Sequence, residues 1–364
     1  MNGWRALPGR GNAIFSPASV RGALAMAYVG ARGATAQEMA RALSLDSEPA
    51  RAAEALGRTL RDWNAAASNA TAAAPPQVRI RNHGWTQQGS AYSAQFLRTL
   101  TESFDATFEA LDFRTDPSSA RRVINAWSDA ATEHAIPEII RRDLDPATSL
   151  LLTNAVYFKG SWASPFQQAT PAPFHAPTAV VQAQLMQLET STAYGRLAGA
   201  RYVKLPFVGR SWFMTVILPD LRGGLERLER TLNVESLERI ARFDENSRVR
   251  IFLPRFALRS AWSLREPLQS LGMRAAFDAN SADFSGIDGT RQLVVSAIEH
   301  EARFTIDEAG AEAAAATAVE LELAGAPTVE PAVFRADHPF LVLLCDQAGH
   351  VLFLGRVVDP TLQR

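Results

Sequence analysis

Apolar residues in the first part of the chain repeat with helical spacing. Between Ala18 and Leu45 they recur every three or four positions, and the repeat is interrupted from Gly30 to Gly33. Such spacing places apolar side chains on one face of a helix, whereas glycine weakens a helix. The pattern therefore predicts two helices that are separated at the glycines.

A second amphipathic pattern covers residues 118–142. Val123, Ile124 and Trp127 fall on one helical face. Pro137 comes near the end of the pattern, and proline cannot continue a helix because it lacks the backbone N–H and its ring clashes with the preceding turn. We therefore expect a helix that ends near Pro137.

The later part of the chain is richer in β-branched and aromatic residues. These runs cover residues 150–158, 202–207, 212–218, 248–256, 293–306 and 340–358. Runs of this composition are typical of strands. Helices gathered early and strands gathered late, without a regular βαβ alternation, predict an α+β fold whose sheets are antiparallel or mixed.

Composition places the chain among ordinary globular proteins. Of its 364 residues, 47% are hydrophobic and 21% are charged. No internal repeat divides the chain, so one large domain over residues 1–364 is expected. Lys and Arg number 37 and Asp and Glu 38, which gives a formal net charge of −1. Because there is no dense basic block, nucleic acid is not an expected partner.

The chain shows no sequence signal for membrane insertion, a disulfide or secretion. The longest apolar runs, such as Phe340 to Cys345, fall short of the roughly 20 residues that span a bilayer, so no membrane contact is expected. Cys345 is the only cysteine and lies in a predicted buried strand, which favours packing in the core. Residues 1–15 lack the apolar stretch of a secretion signal. We therefore expect either a cytoplasmic protein or a chain whose true start is missing.

Residues 307–326 carry a pattern that fits two conformations. Their alanine, glutamate and leucine content favours a helix by local propensity. Small or apolar residues also alternate with glutamates, which is the period of a strand. The first set comprises Ala311, Ala313, Ala315, Thr317, Val319, Leu321 and Leu323, and the second comprises Glu312, Glu320 and Glu322. The segment is therefore expected to serve as a loop or as a strand with its charges toward water.

The chain resembles the serpin family over nearly its whole length. The stretches that carry the resemblance are NAIFSPASV at 12–20, TNAVYFKGSWASPF at 153–166, LPFVGRSWFMTVILPD at 205–220, FLPRFAL at 252–258, ADFSGI at 282–287, VSAIEHEARFTIDEAGA at 295–311 and DHPFLVLLCDQAGHVLFLGRVVDP at 337–360. They occur in the order that the family has. The resemblance implies one serpin domain with three β-sheets, about eight helices and an exposed reactive-centre loop over about residues 308–335. Few residues precede the first stretch, so the first helix of the family is expected to be absent.

The resemblance also implies a cluster of polar residues that controls opening of the large sheet. The matching positions, which we name the sheet-opening cluster, are Ser16, Ser19, Asn154 and His300. Buried polar groups are costly unless they are hydrogen-bonded, so a cluster that must exchange partners on opening would act as a latch. The alternative is an ordinary set of hydrogen-bonded core residues.

Further positions match two features of the family: the point where the loop enters the large sheet, and the hinge at the start of that loop. By resemblance, Trp162 marks the entry point, and Arg255 forms a salt bridge with Glu308. The hinge of inhibitory members begins with a glutamate, followed after one variable residue by glycine and then by small residues. The matching hinge residues are Glu308, Gly310, Ala311, Glu312, Ala313, Ala314, Ala315 and Ala316. No proline or bulky residue blocks them, which favours an inhibitory member.

The implied function is inhibition of serine endopeptidases by a suicide mechanism. A protease attacks the loop, and the cleaved loop inserts into the large sheet before the acyl-enzyme is hydrolysed. Family spacing from Glu308 places the scissile bond between Ala324 and Gly325. Bonds after Leu323 and after Leu321 are the alternatives.

The residues around this bond limit the proteases that are expected as targets. Ala324 suits an elastase-like pocket, and the two leucines suit chymotrypsin-like or subtilisin-like enzymes. No Lys or Arg lies between Arg303 and Arg335, so the loop offers nothing to the acidic pocket of a trypsin-like enzyme. A cysteine protease remains an alternative target, because some members of the family trap such enzymes.

Two other functional classes compete with inhibition. An enzyme is disfavoured because the chain has no G-x-S-x-G elbow, H-E-x-x-H helix or P-loop. A serpin that acts as a carrier, chaperone or interaction module without inhibition is the main alternative. No metal or cofactor is implied. The resemblance implies a monomer that is able to form loop-sheet polymers, located outside the cell or in the periplasm.

Overall fold

The computed structural model describes residues 2–66, 76–89, 91–104, 106–242, 246–311 and 330–362. Within these ranges it contains ten α-helices, one 3-10 turn and fifteen strands, so the predicted α+β class is confirmed. The helices are α1 Asn2–Arg5, α2 Pro17–Gly30, α3 Gly33–Leu43, α4 Pro49–Ala66, α5 Ala94–Phe104, α6 Pro117–Ala131, α7 Leu225–Thr231, α8 Val234–Arg242, α9 Arg265–Ser270 and α10 Ser285–Asp288, and the 3-10 turn is Ala275–Phe277. Across the described ranges, no helix has both the length and the apolar character needed to cross a membrane.

The strands form two sheets. They are β1 Ala13–Phe15, β2 Gln77–Gln87, β3 Thr107–Leu111, β4 Leu150–Ser161, β5 Gln167–His175, β6 Val180–Leu197, β7 Ala200–Pro206, β8 Trp212–Pro219, β9 Asn246–Pro254, β10 Phe256–Ser263, β11 Val295–Ile306, β12 Gly310–Ala311, β13 Ala332–Arg335, β14 Phe340–Asp346 and β15 Val351–Val357. Six of them form one sheet in the order β10-β11-β4-β2-β3, with β12 attached to β4. The other nine form a second sheet in the order β1-β15-β14-β8-β7-β6-β9-β13, with β5 attached to β6.

The second sheet contains two of the three sheets that the resemblance implies. Strand β6 pairs with β5 and β9 along its first part and with β7 along residues 194–197. This single strand of 18 residues therefore joins both parts into one continuous sheet.

The centre of the six-stranded sheet is a parallel pair formed by β11 and β4. Their register runs from Val295 opposite Leu150 to Ala302 opposite Val156. Beyond Ala302 the two strands no longer pair, and β12 pairs instead with the far end of β4. We name the paired stretch of β11 and β4 the seam. It is closed over these residues, and β12 lies at its open end.

Helices cover both faces of this sheet. Helices α2 and α3 are separated at the predicted glycines, and α2 packs against β2 and β4 on one face. On the other face, α6 contributes Ile124 to a small core that also contains Trp85 and Leu151. The prediction that this helix extends to Pro137 is wrong, because it ends at Ala131 and the next residues include Glu133 in the left-handed region. Residues 132–149, which we name the strap, then lead to β4.

Candidate functional site

The structure brings the four residues of the sheet-opening cluster together on the α2 side of the seam. Ser16 is the N-cap of α2, and its hydroxyl oxygen accepts a bond from the backbone N–H of Ser19. The backbone N–H of Ser16 donates to Nε2 of His300 at 3.1 Å. Since Nε2 accepts this bond, the proton of the neutral ring lies on Nδ1, which is 2.9 Å from Oδ1 of Asn154. The ring is therefore held at both nitrogens.

Asn154 is the centre of the cluster. Its Oδ1 accepts from the Ser19 hydroxyl as well as from His300. Its Nδ2 donates to the carbonyl oxygen of Ser19 at 3.1 Å and to Oδ1 of Asn82. Asn82 was missed by the sequence reasoning, although it lies directly opposite Asn154 in the β2–β4 register. Both hydrogen-bonding ends of the Asn154 amide are thus satisfied by named partners.

The bond between His300 and Asn154 crosses the seam, because these residues face each other in the β11–β4 register. Complete burial lowers the pKa of His300 to about 3, so the ring is neutral at ordinary pH. A neutral ring in this tautomer donates to one strand while it accepts from the N-terminal turn of α2. Separation of β11 from β4 must therefore break this hydrogen bond.

Trp162 holds the backbone of the hinge at the open end of the seam. Its backbone N–H donates to the carbonyl oxygen of Ala309 at 2.9 Å, and its indole N–H donates to that of Asp307 at 3.0 Å. The indole is buried and stacks on Phe207, with ring centres 4.4 Å apart. Trp162 thus fixes both the position and the direction of the residues before β12.

Arg255 and Glu308 form the ion pair that the resemblance implies. Nε of Arg255 donates to one carboxylate oxygen of Glu308 at 2.7 Å, and Nη2 donates to the other oxygen. The Glu308 carboxylate also accepts from the backbone N–H of Ala169 at 2.7 Å. Side-chain exposure is 46% for Arg255 and 18% for Glu308. A pair this exposed contributes about 0–1 kcal/mol, so its main effect is to fix the place where the hinge leaves the sheet.

Gly310 brings the backbone of the hinge close to the backbone of β4. It pairs with Ser161 of β4 at a φ of +149°, and a Cβ at this position would clash with the carbonyl oxygen of Gly160. Only glycine fits both conditions. The carboxylate of Asp307, which the sequence reasoning did not single out, accepts from the backbone N–H groups of Ala309 at 2.8 Å and Gly310 at 3.1 Å. This turn delivers Ala311 to β4 in a fully buried position.

The remaining predicted site residues lie outside the described residues. They are Glu312 and Ala313, Ala314, Ala315 and Ala316 of the hinge, together with Leu321, Leu323, Ala324 and Gly325 around the proposed scissile bonds.

The strap side of the seam carries a group of charged residues that the sequence reasoning also missed. Glu301 of β11 is only 1% exposed and forms ion pairs with Arg141 of the strap at 2.8 Å and with Arg259 of β10 at 2.6 Å. Asn125 of α6 exchanges two hydrogen bonds with the backbone of Ile140, at 2.8 and 2.9 Å. The strap is therefore fastened both to α6 and to the strand that forms one side of the seam. A spacing rule would not have found Arg141, because it lies 160 positions from Glu301.

Glu299 lies on β11 beside the cavity under the strap. Burial raises the pKa of its carboxyl to about 7, and the Ser263 hydroxyl and the charge of Arg141 oppose this rise without cancelling it. An unfolded glutamate titrates near 4.5, so between these two values the folded protein keeps a proton that the unfolded chain has lost. The stability that Glu299 contributes is therefore full below pH 4.5 and declines as the pH rises to about 7.

A Glu299→Gln variant tests this linkage. We expect the variant to gain stability relative to the wild type as the pH is raised from about 5 to about 8, because glutamine has no proton to lose. Urea unfolding at both pH values measures the difference, and Glu266→Gln, at an exposed position, serves as the matched control. An equal difference between variant and wild type at the two pH values would contradict the expectation.

Comparisons with known proteins agree with this geometry. The family described as "Serpin (serine protease inhibitor)" matches residues 5–360. A serpin-like protein of Thermococcus kodakarensis is 35% identical over 96% of this chain and 81% of its own length. The leukocyte elastase inhibitor of Bos taurus is 33% identical over 96% of this chain and 93% of its own length.

Solved structures also resemble this chain in fold over nearly its whole length. Serpin48 of the insect Tenebrio molitor, described as a highly specific serpin, is 29% identical with a TM-score of 0.82, over 96% of this chain and 92% of its own. Human thyroxine-binding globulin in complex with its ligand is 25% identical with a TM-score of 0.85, again over 96% and 92% of the two chains. Family match, relatives and fold lead to one conclusion: this chain belongs to the serpin family, the serine protease inhibitors.

Proposed function

We propose that the protein inhibits serine endopeptidases as a suicide substrate, by inserting its cleaved loop into the seam between β11 and β4. The observation that carries this proposal is the position of β12. Gly310 and Ala311 already pair with β4 at the open end of the seam, while β11 and β4 remain paired below them. The first two residues of an inserted strand are therefore in place, and insertion would extend the same ladder.

The proposed reaction begins with the protease. Its serine hydroxyl adds to the carbonyl carbon of the scissile bond, the peptide C–N bond breaks, and the new amino terminus leaves while the loop stays bound as an ester. Release of the loop from its far attachment then allows it to insert as a strand. Inhibition requires that insertion displace the protease before water attacks the ester.

The contacts across the seam set the barrier to this insertion. On the α2 side, the bond between His300 and Asn154 has to break. On the strap side, the ion pair between Glu301 and Arg141 binds β11 to the strap that leads into β4, so the strap has to shift or exchange partners. A buried polar group that is left without a partner costs several kcal/mol. The contacts on the two faces of the sheet therefore keep it closed until the loop supplies a new strand.

The proposed bond is Ala324–Gly325, with the bonds after Leu323 and Leu321 as alternatives. The absence of Lys and Arg between Arg303 and Arg335 directs the proposal to elastase-, chymotrypsin- and subtilisin-like enzymes. The similarity to leukocyte elastase inhibitors supports the elastase-like class. A covalent complex with a cysteine protease is a further outcome that the same experiment would reveal.

The test is incubation with pancreatic elastase, chymotrypsin and subtilisin, followed by denaturing electrophoresis and mass determination of the released C-terminal peptide. We expect a denaturant-stable complex and a peptide that begins at Gly325. Loop cleavage without a complex and without a gain in thermal stability would overturn the proposal. Such a result would favour a serpin that serves as a carrier, chaperone or interaction module, and human thyroxine-binding globulin in complex with its ligand is an example of this fold holding a small molecule.

A further inference from the structure

Residues 336–339, which we name the corner, carry the chain from β13 to β14. Because β13 pairs with β9 and β14 pairs with β8, the corner joins the two parts of the nine-stranded sheet. The backbone N–H of Ala336 donates to the carbonyl oxygen of Phe252 on β9 at 2.9 Å, and the backbone N–H of His175 on β5 donates to that of Asp337 at 2.8 Å. The corner therefore fastens the end of β13 to two neighbouring strands.

His338 is a buried residue of the corner, with 4% of its surface exposed. Its Nδ1 lies 2.8 Å from a carboxylate oxygen of Asp337, and its Nε2 lies 2.8 Å from the carbonyl oxygen of Pro219 at the end of β8. Carboxylate and carbonyl oxygens accept hydrogen bonds and cannot donate them. A neutral imidazole has a single N–H, so one of its two short contacts would join two acceptors. The ring satisfies both contacts only when it carries two protons.

The charged groups on the strands that meet here are compatible with a doubly protonated ring. The Asp337 carboxylate is the ion-pair partner of that ring. Arg335 of β13 lies 3.8 Å from the other oxygen of the same carboxylate, but its side chain is exposed, so solvent screens its charge. Asp220, which follows the last residue of β8, already forms ion pairs with two arginines of β6 and β7. His175 of β5 meets the corner through its backbone.

We propose that the corner is a pH-sensitive clamp on β13, closed when the His338 ring carries two protons. As the pH rises, the ring gives one proton to water, one of its two hydrogen bonds is lost, and β13 is held less firmly. An unfolded histidine titrates near about 6.5, and the closed clamp keeps a proton that the unfolded chain has released. The stability that the clamp contributes is therefore present at low pH and lost at high pH. This proposal concerns the corner alone, so it does not depend on protease inhibition.

Nitrogen-15 NMR of the histidine rings tests the protonation directly. The signals of His338 are identified by their absence from the spectrum of His338→Lys, a variant that keeps a cation at this position. We expect both ring nitrogens of His338 to carry protons at a pH of about 7.5, at which a histidine in an unfolded chain is mostly neutral. A ring with a single proton at this pH would overturn the proposal.

Urea unfolding at pH values of about 6 and about 9 measures the effect of the clamp on stability. The ratio of the folding equilibrium constants of the wild type and His338→Gln is expected to be about tenfold larger at the lower pH, because glutamine has no second proton to lose. The comparison at each pH cancels the contribution of Glu299, which both proteins share. His134→Gln is the matched control, since His134 lies 2.7 Å from an aspartate oxygen but its side chain is 81% exposed.

Two results of the unfolding experiment would contradict the clamp. One is an equal ratio for His338→Gln at the two pH values, and the other is the same pH dependence in His134→Gln. His338→Lys guards against a folding defect in the glutamine variant, and we expect it to be the more stable of the two at a pH of about 9, because it still presents a cation to both acceptors.

Discussion

An Ala311→Arg variant is expected to be cleaved by the target protease at about the wild-type rate and to form almost no covalent complex. Ala311 is fully buried where β12 meets β4 at the open end of the seam. Burial of an unpaired guanidinium costs several kcal/mol, and each 1.4 kcal/mol changes a rate by about tenfold. The guanidinium should therefore keep residue 311 out of the sheet before cleavage. Its entry afterwards should become slower than hydrolysis of the acyl-enzyme, so the inhibitor should become a substrate.

The ratio of complex to cleaved protein, read from denaturing gels at a fixed ratio of protease to inhibitor, measures this effect. Leu221→Arg is the matched control, because Leu221 is 72% exposed and lies between β8 and α7, outside both sheets. We expect the control to form complex as the wild type does. Undiminished complex formation by Ala311→Arg would show that inhibition does not require entry of this residue into the sheet.

An Asn154→Ala variant is expected to lose about 3 kcal/mol of stability. The substitution leaves several buried groups without hydrogen-bond partners, and each such group costs about 1–3 kcal/mol. Asn154 accepts from the hydroxyl of Ser19 and from Nδ1 of His300, and it donates to Asn82. In the variant, the completely buried Nδ1–H of His300 has no acceptor. The loss should lower the urea midpoint of unfolding and loosen the seam.

A looser seam should also promote oligomer formation, and this effect distinguishes a latch from an ordinary cluster of core residues. After mild heating, size-exclusion chromatography should show oligomers of Asn154→Ala at a temperature at which the wild type remains monomeric, because a loop from one molecule can enter the opened sheet of another. Asn280→Ala, at an exposed position whose side chain donates to Asp278 at 3.4 Å, is the control. A variant that is destabilised but forms no oligomers would favour the ordinary core interpretation.

The sheet-opening cluster was predicted from the resemblance to a family, and not from local patterns in the sequence. Ser16 and His300 are 284 positions apart, and no periodicity relates them. The structure nevertheless brings them together, because α2 packs across β4 and β11 pairs with β4. Helix and strand types were also predictable, since apolar spacing reports which faces are buried.

The sequence did not predict groups whose role comes from their tertiary partners. Asn82 has no local signal, because it acts through the strand opposite. Asp307 differs, since it accepts from backbone N–H groups two and three residues further on, and this local turn was overlooked. From the sequence alone, a glutamate such as Glu301 in a strand would be expected to face solvent. In the structure it is buried and forms ion pairs with Arg141 and Arg259. The end of α6 was misjudged because the helix stops at a left-handed turn and not at the proline.

The order of strands along the chain has a consequence for synthesis on the ribosome. Every strand of the six-stranded sheet has been made once Ala311 leaves the tunnel. In the nine-stranded sheet, by contrast, β1 pairs with β15, near the opposite end of the chain, and must wait for it. The seam between β11 and β4 can therefore close while the residues that follow Ala311 are still inside the tunnel or not yet made. A nascent chain would form its closed sheet without competition from the segment proposed to enter it later.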